Sequence, residues 1–217
     1  MSALNTDLYQ LTMAAGYFAA GKTKEIATFE LLVRRLPPNR NFLVAAGLQQ
    51  AVEYLLNLRF QPDEIAYLRS LPQFRNALPE FFDFLAELHF TGDLFAICEG
   101  TPLFPNEPMA IVRAPLVEAQ LVETYLLSTL AFQTTVASKA ARCVLAAQGR
   151  PVVEFGSRRA HSPEAGVLAG RAAYIAGCHG TSNTESGMCF DIPVSGTAAH
   201  SWTMAFPDEE ESFRALQ

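Results

Sequence analysis

The segment Arg150–Asn183, RPVVEFGSRRAHSPEAGVLAGRAAYIAGCHGTSN, decides the fold class of this chain. RPVVEFG predicts a short buried strand, and SPEAGVLAGRAAYIAG predicts a helix that is capped by Ser162 and ends at Gly177. A second short apolar strand is predicted in IPVSGT, residues 192–197. Strand, helix and strand with glycine at the junctions is the pattern of parallel βα units, so we predict an α/β protein.

Three polar loops lie at the ends of these elements: one after the first strand, one after the helix and a next short strand, and one after the last strand. They are EFGSRR (154–159), GCHGTSN (177–183) and GTAAHS (196–201). In parallel βα units the chemistry gathers at the carboxyl ends of the strands. The three loops are therefore the candidate site.

The preceding residues mix helices with predicted antiparallel strands. One helix is expected to begin after a cap at Asn5 or Thr6 and to end at Gly21, with Leu8 and Leu11 on its apolar face. Further helices are predicted over residues 47–58, 62–70, 79–90 and 116–147, and strands in TFELLVRRLPP (28–38), GDLFAIC (92–98) and EPMAIVRAP (107–115). We expect an N-terminal α+β segment, 1–150, and a second segment, 151–217, made of βα units.

Composition excludes several classes of function. The net charge of −6 argues against a nucleic-acid surface, which needs a basic face. No apolar run approaches membrane-spanning length, and the first residues do not resemble a signal peptide. The four cysteines form no CxxC pair, which indicates reduced thiols and a cytoplasmic protein. No histidine or carboxylate lies at metal-ligand spacing from His200, so no metal site is expected in this segment.

Each candidate residue also has an ordinary structural interpretation. The guanidinium groups of Arg158 and Arg159 can each donate two hydrogen bonds to a carboxylate or phosphate ligand. Alternatively, they pair with Glu154 or Glu164 as part of the fold. HGTSN, which starts at His179, either presents N–H groups to an anion or forms a turn with a helix cap.

His200 and Tyr9 are equally open when judged from the residues alone. His200, between Thr197 and Ser201, is a reactive group or a packed structural residue. Tyr9 either stacks its ring on a flat ligand or is a partly buried residue at the edge of the first helix's apolar face. Spacing by itself favours the structural alternative for His200, and composition gives no reason to prefer the ligand role for Tyr9.

Five motifs taken together resemble the nicotinate phosphoribosyltransferase family. They are TDLYQLTMAAGYF, FELLVRRLPPNRNFLVAAGL, EFGSRRAHSPEAG, AGCHGTSN and PVSGTAAHSW, in the family's order. Each motif is weak alone, but the five together cover the chain from about Thr6 onward.

The resemblance implies an enzyme of NAD salvage. Such enzymes make nicotinate mononucleotide from nicotinate and phosphoribosyl pyrophosphate, and they couple this reaction to ATP hydrolysis through a phosphorylated histidine. The implied fold is an irregular TIM-like α/β barrel that follows an N-terminal domain. The implied assembly is a homodimer with sites at the interface, and Mg²⁺ is implied with ligands outside this segment.

The same resemblance assigns roles by position. His200 matches the phosphorylated histidine. Tyr9 matches a tyrosine that reaches into the neighbouring subunit's site, and Phe155 would stack on the other face of the pyridine ring. The remaining assignments are Arg158 near the substrate anions, Thr197 in contact with nicotinate, and Arg159 and Ser201 as possible phosphate ligands.

Ser182 bears on the choice between acid and amide. Related nicotinamide enzymes carry an aspartate there, which accepts from the amide N–H₂ group. A second carboxylate would repel nicotinate, whereas a serine hydroxyl can donate to it. Nicotinate is therefore the expected substrate, and nicotinamide is the alternative.

The chain also departs from the family pattern. TESGMCFDIP follows Asn183 where the family has an apolar stretch such as VLAG, and His179 replaces an acidic residue. Family members are about twice as long, and the glycine-rich phosphoribosyl loops of their later strands do not occur here. We expect an incomplete barrel with little or no activity alone. A non-catalytic remnant, or a split subunit completed by a C-terminal partner chain, is a further alternative.

Overall fold

The computed structural model describes residues 2–216, in which three small sheets are interleaved with helices. The strands are β1 Ile26–Leu32, β2 Leu43–Val44, β3 Asp93–Ala96, β4 Pro102–Leu103, β5 Pro108–Pro115, β6 Val153–Glu154 and β7 Gly180–Thr181. The helices are α1 Leu8–Ala19, α2 Leu48–Leu56, α3 Pro62–Ser70, α4 Pro79–Glu87, α5 Leu116–Leu121, α6 Glu123–Ala146, α7 Pro163–Ile175, α8 Thr184–Phe190, α9 His200–Thr203 and α10 Glu209–Ala215. Single 3₁₀ turns occupy Pro72–Phe74 and Ser157–Arg159.

The largest sheet is antiparallel, with β5 between β1 and β3. Phe29 lies opposite Val112, and the side chains of β1 alternate between exposed and half-buried from Ile26 to Leu31, where the register is interrupted. This alternation confirms the predicted two-residue period of TFELLV. The sequence did not indicate the separate two-stranded pairing of β2 with β4.

Helices α2 to α4 match the periodicity of the sequence closely. Helix α3 spans the predicted residues, and α4 ends three residues before its predicted end. The apolar side of α4 is buried as predicted, together with the residue that follows the helix. Its members are Phe81, Phe82, Leu85 and Leu88.

The predicted beginning of the first helix is wrong. Asp7 occupies the N-cap position, and its carboxylate accepts from Thr124 Oγ1 at 3.0 Å. The buried side of α1 consists of Gln10, Leu11 and Ala14, whereas Leu8 is 42% exposed. Because Gln10 is buried and Leu8 is not, the buried side of α1 is rotated by part of a turn from the apolar side that the sequence predicted.

The long helix predicted over 116–147 is divided into α5 and α6 at Val122. Glu123 begins α6 beside Gln120, near the end of α5. No helix among residues 2–216 combines the length and the apolar character that a membrane crossing requires.

The parallel βα arrangement is confirmed by the pairing of β6 with β7. Val153 lies opposite Gly180 and Glu154 opposite Thr181, with α7 in the connection. Ser162 caps α7, because its side chain accepts from Ala165 N at 3.2 Å. The predicted strand IPVSGT is reduced to one parallel bridge.

An ion pair joins α7 to the first 150 residues. The Arg171 guanidinium contacts both Glu99 carboxylate oxygens, at 2.8 and 2.7 Å. Glu99 Oε1 also accepts from the backbone N–H groups of Gly47 and Leu48, at 2.6 and 3.0 Å. The two charged side chains are only 11% and 18% exposed. Because α7 precedes the GCHGTSN loop, this pair helps to fix the candidate site.

The ion pair predicts an acid-dependent loss of stability. Burial raises the pKa of Glu99, but Arg171 and the two N–H groups outweigh it and lower the pKa below its ordinary value. Stabilisation by Glu99 is therefore complete above pH 4.5 and is lost as the pH falls through the lowered pKa. We expect Glu99→Gln to remove this part of the pH dependence, measured by urea unfolding at a series of pH values. An unchanged pH profile would contradict the assignment.

Candidate active site

The first two predicted loops begin at the same edge of the parallel sheet. Ser182 N donates to Glu154 O at 2.8 Å, so the second loop begins against the first. Ser195 N donates to Thr181 O at 3.0 Å, which brings the residues before the third loop to the same edge. Parallel pairing and these two bonds explain why distant motifs converge.

The Glu154 side chain ties the first loop to the second. Its carboxylate accepts from Gly156 N and from Thr181 Oγ1, the latter at 2.7 Å. Thr181 is fully buried, and its hydroxyl oxygen also accepts from Asn183 N at 3.1 Å. Sequence reasoning considered Glu154 only as a possible partner of arginines and did not single out Thr181.

Asn183 completes the connection between the two loops. Its Nδ2 donates to Ser157 Oγ at 3.1 Å, and its Oδ1 accepts from Ser186 N at 2.8 Å at the start of α8. The helix-cap interpretation of HGTSN is therefore confirmed for Asn183. The side chain of Ser182, the preceding residue, is half-buried and has no hydrogen-bond partner among residues 2–216.

Two glycines near the site lie so close to neighbouring atoms that no side chain fits at their positions. A Cβ on Gly180 would lie 2.4 Å from Pro193 O, and one on Gly170 would lie 2.5 Å from Ser186 Oγ. Real Cβ atoms do not approach other atoms so closely, so any side chain at either position would push its neighbour away. The two glycines therefore let β7 and α8 pack tightly behind the loops.

The predicted ligand residues of the first loop face outward. Phe155 is 43% exposed, and both arginines of the following 3₁₀ turn, Arg158 and Arg159, are exposed. Neither arginine forms an ion pair within residues 2–216. Their predicted alternative, pairing with Glu154 or Glu164, is therefore not found, and both guanidinium groups are available to an anion.

The third loop carries Thr197, His200 and Ser201, all of them exposed. We expected His200 at a strand end, but it begins the short helix α9, beyond the Val194 bridge. None of these three side chains has a hydrogen-bond partner in the described part of the chain. Trp202 anchors this helix, because its Nε1 donates to Ser212 O at 3.0 Å.

Tyr9 belongs to a different region, on α1. Its ring is 49% exposed, and no hydrogen bond joins it to the three loops among residues 2–216. Its hydroxyl accepts from Gln10 Nε2 at 3.0 Å. Partial desolvation, followed by the carboxylates of Glu123 and Asp7, raises the pKa of Tyr9.

The described residues do not fit a resident metal ion. Within residues 2–216, no group of three or more histidine, cysteine, aspartate or glutamate side chains is arranged to hold one. All four cysteines are free thiols, as predicted.

The fold and this edge define an α/β protein with exposed, polar candidate ligand loops at the carboxyl ends of parallel strands. A family model described as the nicotinate phosphoribosyltransferase N-terminal domain matches residues 4–131. This match covers more than half of the chain, which therefore belongs to the nicotinate phosphoribosyltransferase family.

Individual relatives agree with this family. The chain is 48% identical to the pncB2 nicotinate phosphoribosyltransferase of Mycobacterium tuberculosis, over 100% of this chain and 46% of the relative. It is 44% identical to the Bacillus subtilis nicotinate phosphoribosyltransferase, over 97% of this chain and 42% of the relative. The chain thus spans less than half the length of these curated relatives.

Two solved structures share the fold. Human nicotinic acid phosphoribosyltransferase superposes with a TM-score of 0.86 at 38% identity, covering 93% of this chain and 40% of the human one. A nicotinate-nucleotide pyrophosphorylase from Pyrococcus furiosus gives a TM-score of 0.77 at 22% identity, covering 97% and 46%. At that identity, the second likeness concerns the fold alone.

Proposed function

We propose that this chain takes part in making nicotinate mononucleotide from nicotinate and phosphoribosyl pyrophosphate, coupled to ATP hydrolysis. One observation carries the proposal. This chain belongs to the family, and hydrogen bonds of Glu154 and Asn183 connect its first loop to its second. The first loop carries Phe155 and Arg158, and the second carries Ser182. A flat ring with a carboxylate needs an aromatic face, a cation and a hydroxyl donor near one another.

The proposed chemistry is a displacement at the ribose. The pyridine nitrogen forms a bond to the ribose carbon while the carbon–oxygen bond to pyrophosphate breaks. The transition state has oxocarbenium character, so the protein acts by positioning and by stabilising the leaving anion. Arg158 and Arg159, which have no ion-pair partner among residues 2–216, would supply the positive charge for this. Any Mg²⁺ enters bound to the phosphate oxygens of the substrates.

His200 couples ATP to this reaction. An imidazole nitrogen attacks the terminal phosphorus, a phosphorus–nitrogen bond forms, and ADP leaves with the electrons of the broken phosphorus–oxygen bond. Later hydrolysis returns the free imidazole and phosphate. The exposure of His200 on a short helix gives ATP access to it. Thr197 contacts nicotinate, and Ser201 contacts phosphate.

The surrounding architecture is proposed on the same basis. Residues 151–217 contribute the first βα units of a TIM-like barrel, and residues 1–150 form the N-terminal domain. The working form is a cytoplasmic homodimer in which Tyr9 enters the neighbouring subunit's site and stacks opposite Phe155.

Ser182→Asp tests the choice of acid over amide. A carboxylate here would repel nicotinate and accept from the amide of nicotinamide. We expect kcat/KM for nicotinate to fall about ten- to a hundredfold and the relative rate with nicotinamide to rise. Ser182→Ala is the matched control, since it removes the donor without adding charge. An unchanged acid-to-amide ratio in Ser182→Asp would refute the specificity assignment.

The function itself is tested with a chimera. The 217-residue chain replaces the matching segment of the Mycobacterium tuberculosis relative, and product is measured from nicotinate, phosphoribosyl pyrophosphate and ATP. We expect nicotinate mononucleotide with stoichiometric ADP. The chain alone is assayed in parallel. Absence of product from the chimera, while the intact relative is active, would count decisively against the proposal.

A further inference from the structure

A network of two buried amides and the half-buried carboxylate of Glu123 lies next to Tyr9. Gln10 is fully buried and Gln120 is 6% exposed. Gln10 Nε2 donates to Glu123 Oε2 at 2.7 Å, and Gln120 Nε2 donates to the same oxygen at 3.0 Å. Gln120 Nε2 also donates to Gln10 Oε1, which closes the ring of contacts.

The carboxylate fixes the orientation of both amides. An ionised carboxylate only accepts hydrogen bonds, so the amide nitrogens of Gln10 and Gln120 must face Glu123. The second N–H of Gln10 then points at Tyr9 Oη, 3.0 Å away. An amide nitrogen has no acceptor capacity, and the phenol oxygen must therefore be the acceptor in this bond.

This direction leaves the phenol proton of Tyr9 unused. No acceptor for it lies among residues 2–216, and the ring itself is half exposed. A phenol with its ordinary pKa of about 10 is already protonated at neutral pH, and the surroundings of Tyr9 raise its pKa further. The side chain thus presents one free donor on an oxygen that a buried amide holds in place.

We infer that Gln10 is a positioning residue, whose amide holds the Tyr9 oxygen as an acceptor so that the Tyr9 proton is donated outward to an anionic group of a bound substrate. The inference rests on the proposed function for the identity of that substrate. The shared chemistry is an anionic oxygen, which either the carboxylate of nicotinate or a phosphate of phosphoribosyl pyrophosphate supplies.

The first measurement uses the 217-residue chain and needs no catalysis. Tyrosine labelled with ¹³C at the ζ carbon is titrated by NMR, and the Tyr9 signal is assigned by its loss in Tyr9→Phe. The Gln10 bond lowers the pKa of Tyr9, whereas Glu123 raises it. We expect a higher Tyr9 pKa in Gln10→Met and a lower one in Glu123→Gln. An unaltered pKa in Gln10→Met would overturn the inference.

The second measurement uses the chimera and determines KM for each substrate. A lost hydrogen bond to a charged group corresponds to about a ten- to hundredfold change. We expect Tyr9→Phe to raise KM by this factor for the substrate that supplies the anion, which distinguishes nicotinate from phosphoribosyl pyrophosphate. Gln10→Met should raise the same KM, and the double variant should be no worse than Tyr9→Phe. Tyr67→Phe, at another half-exposed tyrosine on α3, is the matched control.

Each contrary outcome has a separate meaning. Additive effects of the two variants would indicate a structural role for Gln10 and contradict the inference. If Gln10→Met does not fold, an unchanged KM for both substrates in Tyr9→Phe contradicts it as well. A chimera without product would contradict the proposed function alone, because the NMR titration still tests the bond from Gln10 to Tyr9.

Discussion

Phosphate transferred from ATP is expected to disappear from the protein when His200 is replaced with alanine. The wild-type chimera should carry an acid-labile, base-stable label from ATP, because a phosphorus–nitrogen bond is cleaved in acid and survives base. His200→Ala removes the nucleophile, so the label should fall to background and ATP should no longer accelerate product formation. The measurement is labelling with γ-³²P-ATP, followed by mass spectrometry of the phosphorylated peptide.

The control for this prediction is another histidine in a candidate loop. His179 is exposed in the second loop, so His179→Ala changes a neighbouring imidazole without removing the proposed nucleophile. We expect that variant to keep its label. Labelling that persists in His200→Ala would place the phosphate on another residue and remove His200 from the proposed reaction.

The second large effect concerns stability. Arg171→Met should lower the free energy of unfolding by about 3 kcal/mol, because it leaves the Glu99 carboxylate buried without its cation. Urea unfolding, followed by circular dichroism on the 217-residue chain, measures this loss. The double variant Glu99→Gln/Arg171→Met should recover much of it, since the neutral amide leaves no uncompensated charge and its oxygen can still accept from the N–H groups of Gly47 and Leu48.

A surface ion pair supplies the comparison. Lys22 contacts Glu25 at 2.9 Å, but their side chains are 47% and 58% exposed. Lys22→Met should therefore cost less than about 1 kcal/mol. If Lys22→Met and Arg171→Met lowered the free energy of unfolding equally, burial of the pair of Arg171 and Glu99 would not increase the cost of breaking it.

The sequence predicts much of the fold because long periodic segments carry strong signals. Helix α3 begins with proline and was predicted at its observed bounds, and Ser162 caps α7 as expected. The pairing of β2 with β4 was missed because two-residue strands have no periodicity. The cap at Asp7 was missed because its contact, Thr124, is more than a hundred residues away.

The candidate site was predictable in its loops but not in the bonds between them. The motifs located Phe155 and Ser182, which bear the proposed ligand contacts. The carboxylate of Glu154 and the hydroxyl of Thr181 hold those loops together, yet a local pattern cannot reveal a bond across the sheet. Gln10 was missed for a related reason, since a buried glutamine resembles a surface residue until its partners are known.

The bonds around Glu99 also have a consequence for the order of folding during synthesis. Arg171 follows Glu99 by 72 residues. The residues around this ion pair therefore leave the ribosome well before Arg171 does; they are Gly47, Leu48, Gln49 and Glu99. Since folding generally proceeds from the N-terminus as the chain is made, Glu99 can accept from the N–H groups of Gly47 and Leu48 before Arg171 is synthesised. The nascent chain would then hold a carboxylate that is ready to pair with Arg171. Formation of this ion pair would place α7, and the candidate loops next to it, against the residues that have already folded.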